Sequence, residues 1–229
     1  MRSDGSTTLK SAADDEGEAK PIYGNFFGQS SFSRLALVNG NCMVKVSSET
    51  DINLFAPLGC GIQTGTGVVW NALDVRQGES FIVSGCGAVG MSAIIAAKIR
   101  GASTIIAVDI KAERLEIAKE LGATHAFNGS DTDLMQQIRA VCPLRAGVNH
   151  ALDTTGVPVV IETMVEAIGT RGQIVVVGAT AFDKKVRIQP LEFLNMGKRF
   201  IGSVEGDSYP PEVCVLSSQH SNYMSMLMI

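Results

Sequence analysis

The ten residues Phe81-Ile82-Val83-Ser84-Gly85-Cys86-Gly87-Ala88-Val89-Gly90 constrain this chain more than any other stretch. An apolar run suited to a buried strand leads into the spacing G-x-G-x-x-G, and a helix-like segment follows. The first glycine permits a tight turn, the second lets backbone approach a pyrophosphate, and the third lets helix and strand pack closely. A helix starting after Gly87 would aim its N-terminal N–H groups and positive dipole end at the phosphates. A plain glycine-rich connector would show the same three glycines, so the neighbouring sequence has to decide.

Met91 to Arg100 is apolar on nearly every face, as a helix buried against a sheet is, and Gly101 supplies a stop. A second apolar run, Ile105-Ile106-Ala107-Val108, ends in Asp109. That acid stands near the distance of about 20 residues at which a carboxylate grips an adenosine ribose. A carboxylate bonds a free 2'-hydroxyl and repels a 2'-phosphate, so Asp109 favours NAD over NADP.

The alternation then continues. Ala112, Leu115, Ala118 and Leu121 form a helical stripe, His125-Ala126-Phe127 a short strand, and Leu134, Ile138 and Val141 another stripe. Val148 to Leu152 reads as a strand ending in Asp153-Thr154-Thr155-Gly156, Pro158 opens a helix, and Gln173 to Val177 is a further buried strand. Strands alternating with helices specify an α/β fold, a doubly wound parallel (Rossmann) sheet with helices on both faces. Ligands of such sheets sit at the carboxyl ends of the strands. Gly85, Gly87, Ala88, Val89 and Gly90, Asp109, Thr155, and Gly178 with Ala179 then share one rim, a strip suited to an elongated dinucleotide.

The flanks differ. Residues 1–20 are polar and acidic and are expected to stay mobile. Phe26-Phe27, Leu35 to Val38 and Cys42 to Val46 read as short strands of an all-β unit, too few to close a barrel. Val186 to Gln189 alternates like an edge strand, Phe200 to Val204 reads as a last strand, and the character changes after Asp207. The expected division is 1–20, a disordered segment; 21–56, a partial all-β domain; 57–207, the dinucleotide-binding domain; and 208–229, a divergent tail.

With 45% hydrophobic and 18% charged residues the chain has ample material for a core, and its net charge of −4 gives no basic excess for nucleic acid or anionic membrane. No run approaches the roughly 20 apolar residues of a membrane span, and the start carries no secretory pattern. The five cysteines are scattered, without a C-x-x-C pair. That pattern fits a reducing compartment, and a cytoplasmic protein is expected. Neither the cysteines nor the three histidines make a local zinc motif. Cys60 taken alone reads as a small buried hydrophobe, as free cysteines usually are.

Phe27 to Phe32, Leu58-Gly59-Cys60-Gly61 with Thr64-Gly65, Gly85 to Gly90, Asp109 and Gly202-Ser203 together resemble the zinc-dependent medium-chain alcohol dehydrogenases, most of all their aryl-alcohol (benzyl alcohol) branch. The likeness runs from about Pro21 to Asp207. It implies that residues 21–56 are the remnant of a GroES-like catalytic domain, and that Cys60 is one of three protein ligands of a catalytic zinc. It further implies that Thr64 lies near the nicotinamide, Val89 packs behind it, and Arg114 stands beside the adenosine ribose. Val186 to Gln189 would pair across a subunit interface, in a homo- or hetero-oligomer. The substrate implied is a small alcohol or aldehyde.

The first Cys ligand, a Gly-His-Glu segment and a four-cysteine lobe do not occur, so the chain reads as truncated at both ends and catalytically incomplete. Two further readings stand beside the dehydrogenase. One is a non-catalytic NAD-binding module that pairs with an intact relative. The other is a zinc-free reductase, which would leave Cys60 and its glycines without a use.

Overall fold

A computed structural model of the chain describes residues 10–13, 17–21, 38, 40–46, 48, 56–142 and 147–212. It divides into two units, residues 1–48 with 209–211, and residues 49–208 with 212–229. Among its described residues, the first unit holds an isolated antiparallel bridge between Lys10 and Pro21 and a 3-10 turn at Gly40–Cys42. The strand expected at 42–46 is not formed: Cys42 closes the 3-10 turn, and residues 43–46 pair with no strand. An extended segment gains its backbone hydrogen bonds only from a neighbouring strand, and no described neighbour supplies one. The expectations for residues 1–9 and 14–16, for 26–27 and 35–37, for Phe27 to Phe32 and for 213–229 lie outside the described residues.

The second unit is built on six strands: β1 (Ser80–Ser84), β2 (Thr104–Asp109), β3 (His125–Asn128), β4 (Val148–Asp153), β5 (Ile168–Val176) and β6 (Arg199–Gly202). Their spatial order is β3-β2-β1-β4-β5-β6, and every neighbouring pair is parallel. The chain steps outward from β1 to β3, then returns to the far side of β1 to lay down β4. The gap between β1 and β4 is the topological switch point at which such sheets take ligands.

Among the described residues six helices join or flank the strands: α1 (Gly61–Gly67), α2 (Ala88–Ile99), α3 (Ala112–Leu121), α4 (Leu134–Val141), α5 (Pro158–Ala167) and α6 (Pro190–Met196). A π turn, Val68–Ala72, prolongs α1. None of the described helices is long and apolar enough to cross a membrane.

The period-2 alternation of the strands explains the layers. Phe81 and Val83 of β1, with Ile105 and Ala107 of β2, join a core with Ile94 of α2 and Leu115 of α3. Ile82, Ile106 and Val108 point the other way and meet Ile138 of α4 with Ile161 and Met164 of α5. Both faces are covered, which is why these strands read as continuous apolar runs rather than alternating ones.

Helix α1 lies against α2 at a distance that only glycine allows. A Cβ on Gly65 would stand 2.1 Å from the Val89 carbonyl oxygen and 2.9 Å from the Ala93 nitrogen. The Ser92 hydroxyl stitches the crossing, bonding the Gly61 carbonyl at 3.3 Å. Alanine at position 65 would gain about 1 kcal/mol of helix propensity. It would also force two helix backbones apart, an overpacking cost of about 1–3 kcal/mol or more. The backbone overlap wins. Gly65→Ala is expected to lower the melting temperature by roughly 3–8 °C in a thermal scan, at about 2–4 °C per kcal/mol for a chain of this size. A rise would show that the two helices are free to separate.

Candidate dinucleotide-binding site

The site begins at the end of β1. Gly85 turns the chain at φ +87°, in the left-handed region that side chains avoid. Its N–H bonds the Val108 carbonyl of β2 at 2.8 Å. Helix α2 then crosses so close that a Cβ on Gly90 would lie 2.0 Å from the Gly85 carbonyl oxygen. Gly87 faces open space, with nothing within 4 Å of a Cβ placed there. No side chain caps α2 at Gly87, and the first-turn N–H groups of a helix have no intrahelical acceptor. An uncapped helix start behind an open glycine fits a pyrophosphate. Ala88 and Val89 open α2.

Asp109 closes β2 and is buried. Its Oδ2 accepts the Cys86 N–H at 2.7 Å, and its Oδ1 accepts the Lys111 N–H at 2.9 Å. Arg114 stands beside it, Nη1 to Oδ2 at 3.6 Å. The acid therefore fastens the glycine turn to β2 as well as facing the rim. These partners use part of the roughly four lone-pair sites of a carboxylate.

Cys86 packs beneath the turn. Burial first, and then the Asp109 charge, push its thiol up to about 12.

On the other side of the switch point the loops after β4 and β5 are pressed together. A Cβ on Gly178 would meet the Gly156 nitrogen at 2.1 Å, and one on Gly156 the Ala179 carbonyl oxygen at 2.5 Å. Thr155 donates its hydroxyl to Asp153 Oδ1 at 2.7 Å. Asp153, fully buried, also accepts from the Ser84 hydroxyl at 2.9 Å and the Gly156 N–H at 2.9 Å. This acid ties β1 to β4 at the switch point. The signal for Asp153 stands beside Thr155 in the sequence: an acid ahead of Thr-Thr-Gly at a strand end is a turn-forming pattern.

Two more polar groups complete the rim beyond β6. Thr64 of α1 donates its hydroxyl to Glu205 Oε2 at 3.3 Å. Asn71 donates its amide to the Gly206 and Asp207 carbonyls at 3.2 Å each. Neither Glu205 nor Asn71 carries a periodic or motif signal in the sequence.

Cys60 precedes α1 at its N-cap and is exposed rather than a buried hydrophobe. Partial desolvation, and then the Glu205 charge, push its thiol up.

The run Val186 to Gln189, expected as an edge strand, takes part in no sheet: β6, paired only with β5, closes that side. The Arg187 N–H goes to Glu162 Oε1 at 2.8 Å. An extended run registers as a strand only beside a partner strand.

A family model described as zinc-binding dehydrogenase matches residues 88–218, more than half of the chain. The chain belongs to the zinc-binding dehydrogenase family. It is 40% identical over 205 residues to a probable alcohol dehydrogenase of Pseudomonas sp., covering 86% of this chain and 64% of that protein. Among solved structures, an alcohol dehydrogenase zinc-binding domain protein from Burkholderia ambifaria superposes with a TM-score of 0.82 at 44% identity, over 97% of this chain and 58% of that one. Benzyl alcohol dehydrogenase from Acinetobacter calcoaceticus gives 0.81 at 43% identity, over 94% and 60%. The chain thus spans less than two thirds of the length of these relatives.

The family name raises the question of zinc. Among the described residues no three His, Cys, Asp or Glu side chains stand together as a metal site. His150 pairs at 2.7 Å with Glu79, which precedes β1 at the amino end of the sheet, away from Cys60. A catalytic zinc takes three protein ligands. The described residues do not fit one by themselves.

Two measurements separate the roles within this dehydrogenase turn. Gly87→Asp puts a good N-cap residue where space is open, so its melting temperature should stay within about 2 °C. Gly90→Ala should instead lower the melting temperature first, because its Cβ meets backbone. Iodoacetamide at pH 8 with mass-spectrometric readout should modify exposed Cys60 at least about tenfold faster than Cys86. Equal rates would mean that the turn opens.

Proposed function

We propose that this chain is the cofactor-binding part of an NAD-dependent alcohol dehydrogenase, moving a hydride between a small alcohol of the aryl or related primary class and the nicotinamide. As written it is catalytically incomplete. The domain division 1–20, 21–56, 57–207 and 208–229 belongs to this reading, as does a cytoplasmic setting. The likeness to a benzyl alcohol dehydrogenase supports the aryl class.

The observation that carries the proposal is the pairing of an open, uncapped helix start at Gly87 with a buried acid at the end of β2. The first would hold the pyrophosphate, the second the adenosine ribose. In this reading Thr64, Gly85, Gly87, Ala88, Val89, Gly90, Asp109, Arg114, Thr155, Gly178 and Ala179 line the cofactor strip. Bound NAD supplies the hydride chemistry. The chain's own residues orient the cofactor and exclude water from one side of it. Cys60 would be one ligand of a zinc whose remaining ligands are not among the described residues.

Titration calorimetry should show NAD binding at least about tenfold tighter than NADP, because the Asp109 carboxylate meets a hydroxyl in one and a phosphate in the other. Asp109→Ala should weaken NAD by about 1–3 kcal/mol, the scale of a hydrogen bond to a charged group. It also strips the Cys86 and Lys111 N–H groups of an acceptor, so a melting curve of the variant separates lost binding from a loosened turn. Unchanged NAD binding in a folded variant would remove Asp109 from the site. The chain mixed with NAD, benzyl alcohol and zinc should form negligible NADH; robust turnover would overturn the incompleteness.

A second reading is favoured by the apolar surface around Ile188, Leu191 and Leu194, all well exposed. The chain would then be a non-catalytic NAD-binding module that pairs with an intact dehydrogenase through Val186 to Gln189. Co-purification with a full-length relative would support it, and a strictly monomeric product would count against it.

A further inference from the structure

Residues 205–207 form the most strained described segment of the second unit. Glu205, Gly206 and Asp207 follow one another with φ of 54°, 68° and 50°, all left-handed. Side chains disfavour that region, and only glycine, with Asn and Asp in single positions, visits it routinely. A glutamate there persists only where its surroundings hold it.

The surroundings do hold it. Asn71 ties the Gly206 and Asp207 carbonyls. Gly67 lets the turn approach α1 so closely that a Cβ on Gly67 would meet the Gly206 carbonyl oxygen at 2.6 Å. On Gly206 a Cβ would meet the Thr64 carbonyl oxygen at 2.6 Å. The Thr64 hydroxyl fixes the carboxylate itself, donating to Oε2 at 3.3 Å. Two residues earlier, Ser203 buries a hydroxyl that has no hydrogen-bond partner among the described residues. Buried polar groups are rarely left unpaired, and such a group at a rim suits a polar ligand.

The position along the rim gives this carboxylate a meaning. Asp109 ends β2, on one side of the switch point between β1 and β4; Glu205 follows β6, at the far end of the other side. A dinucleotide laid across the switch point with its adenosine half toward Asp109 puts its nicotinamide half on the Glu205 side. The nicotinamide ring is cationic in NAD+ and neutral in NADH. A carboxylate pinned beside it attracts the first and not the second, and near a protein surface the effective dielectric is low enough for that difference to register.

Resting on the reading of the rim as an NAD site, we propose that Glu205 is a specificity-determining residue that favours oxidised over reduced cofactor. Its strained turn holds the charge in place, and Thr64 sets its orientation.

The test is calorimetric titration of the full chain with NAD+, NADH and ADP-ribose, which lacks the nicotinamide. Glu205→Gln should weaken NAD+ by about fivefold to tenfold, the scale of a partly screened charge interaction, while NADH and ADP-ribose change less than about twofold. Glu205→Asn removes the same charge with a residue that tolerates left-handed backbone, so it serves if the first variant fails to fold. Both variants should raise the ratio of the NAD+ to the NADH dissociation constant relative to the unaltered chain. Equal changes in NAD+ and NADH, or none, with ADP-ribose binding retained, would overturn the role of Glu205. Failure of the unaltered chain to bind any of the three ligands would instead take down the reading of the rim.

Discussion

The approach of α2 to the end of β1, where Gly90 meets the Gly85 carbonyl oxygen with no room for a methyl group, is the constraint from which the second unit is built. Once that crossing is fixed, α2 lies flat on the sheet and its side chains are covered on nearly all sides, which explains its almost uniformly apolar sequence. Helix α1 then has to cross α2 at glycine distance through Gly65. The open start of α2 faces the switch point because the strand before it ends there. The candidate cradle and the packing solution are the same object.

Carboxylates organise the rim in three different ways. Asp153 is wholly buried and spends its oxygens on Ser84, Thr155 and Gly156, so its work is to close the gap between β1 and β4. Asp109 divides itself between the Cys86 and Lys111 N–H groups and the rim. Glu205 makes one hydrogen bond among the described residues, to Thr64, and stands on a backbone that resists it. The progression runs from an acid consumed by structure to an acid held out from it. Buried charges persist only when paired or hydrogen-bonded, and each of these is satisfied in proportion to its burial.

Much of this was legible in the chain beforehand. The strands at Phe81, Ile105 and Ala151 announce themselves as apolar runs, and Gly85, Gly87 and Gly90 each take the role that their spacing implied: the turn, the open face and the close crossing. Asp153 was hidden by the more conspicuous Thr155. Glu205 and Asn71 were hidden altogether, because they meet α1 and the last turn across more than 130 residues of sequence. Cys42 to Val46 shows the opposite error, whereas Val186 to Gln189 reads as a strand that pairs with another subunit. Their composition suits strands, yet a strand is a property of two segments, and neither finds a partner among the described residues.

What the sequence determined by itself was local: the period of each apolar run, the glycines that only a turn or a close crossing requires, and the acid at the end of β2. Those follow from the sterics of one backbone and the burial of one face, which neighbouring residues settle among themselves. Tertiary structure alone decided the strand order, the sharing of Asp109 and Asp153 between loops, and the strained perch of Glu205. Each depends on segments far apart in the chain arriving at the same place, and the closeness of that arrival is written in no single stretch of residues.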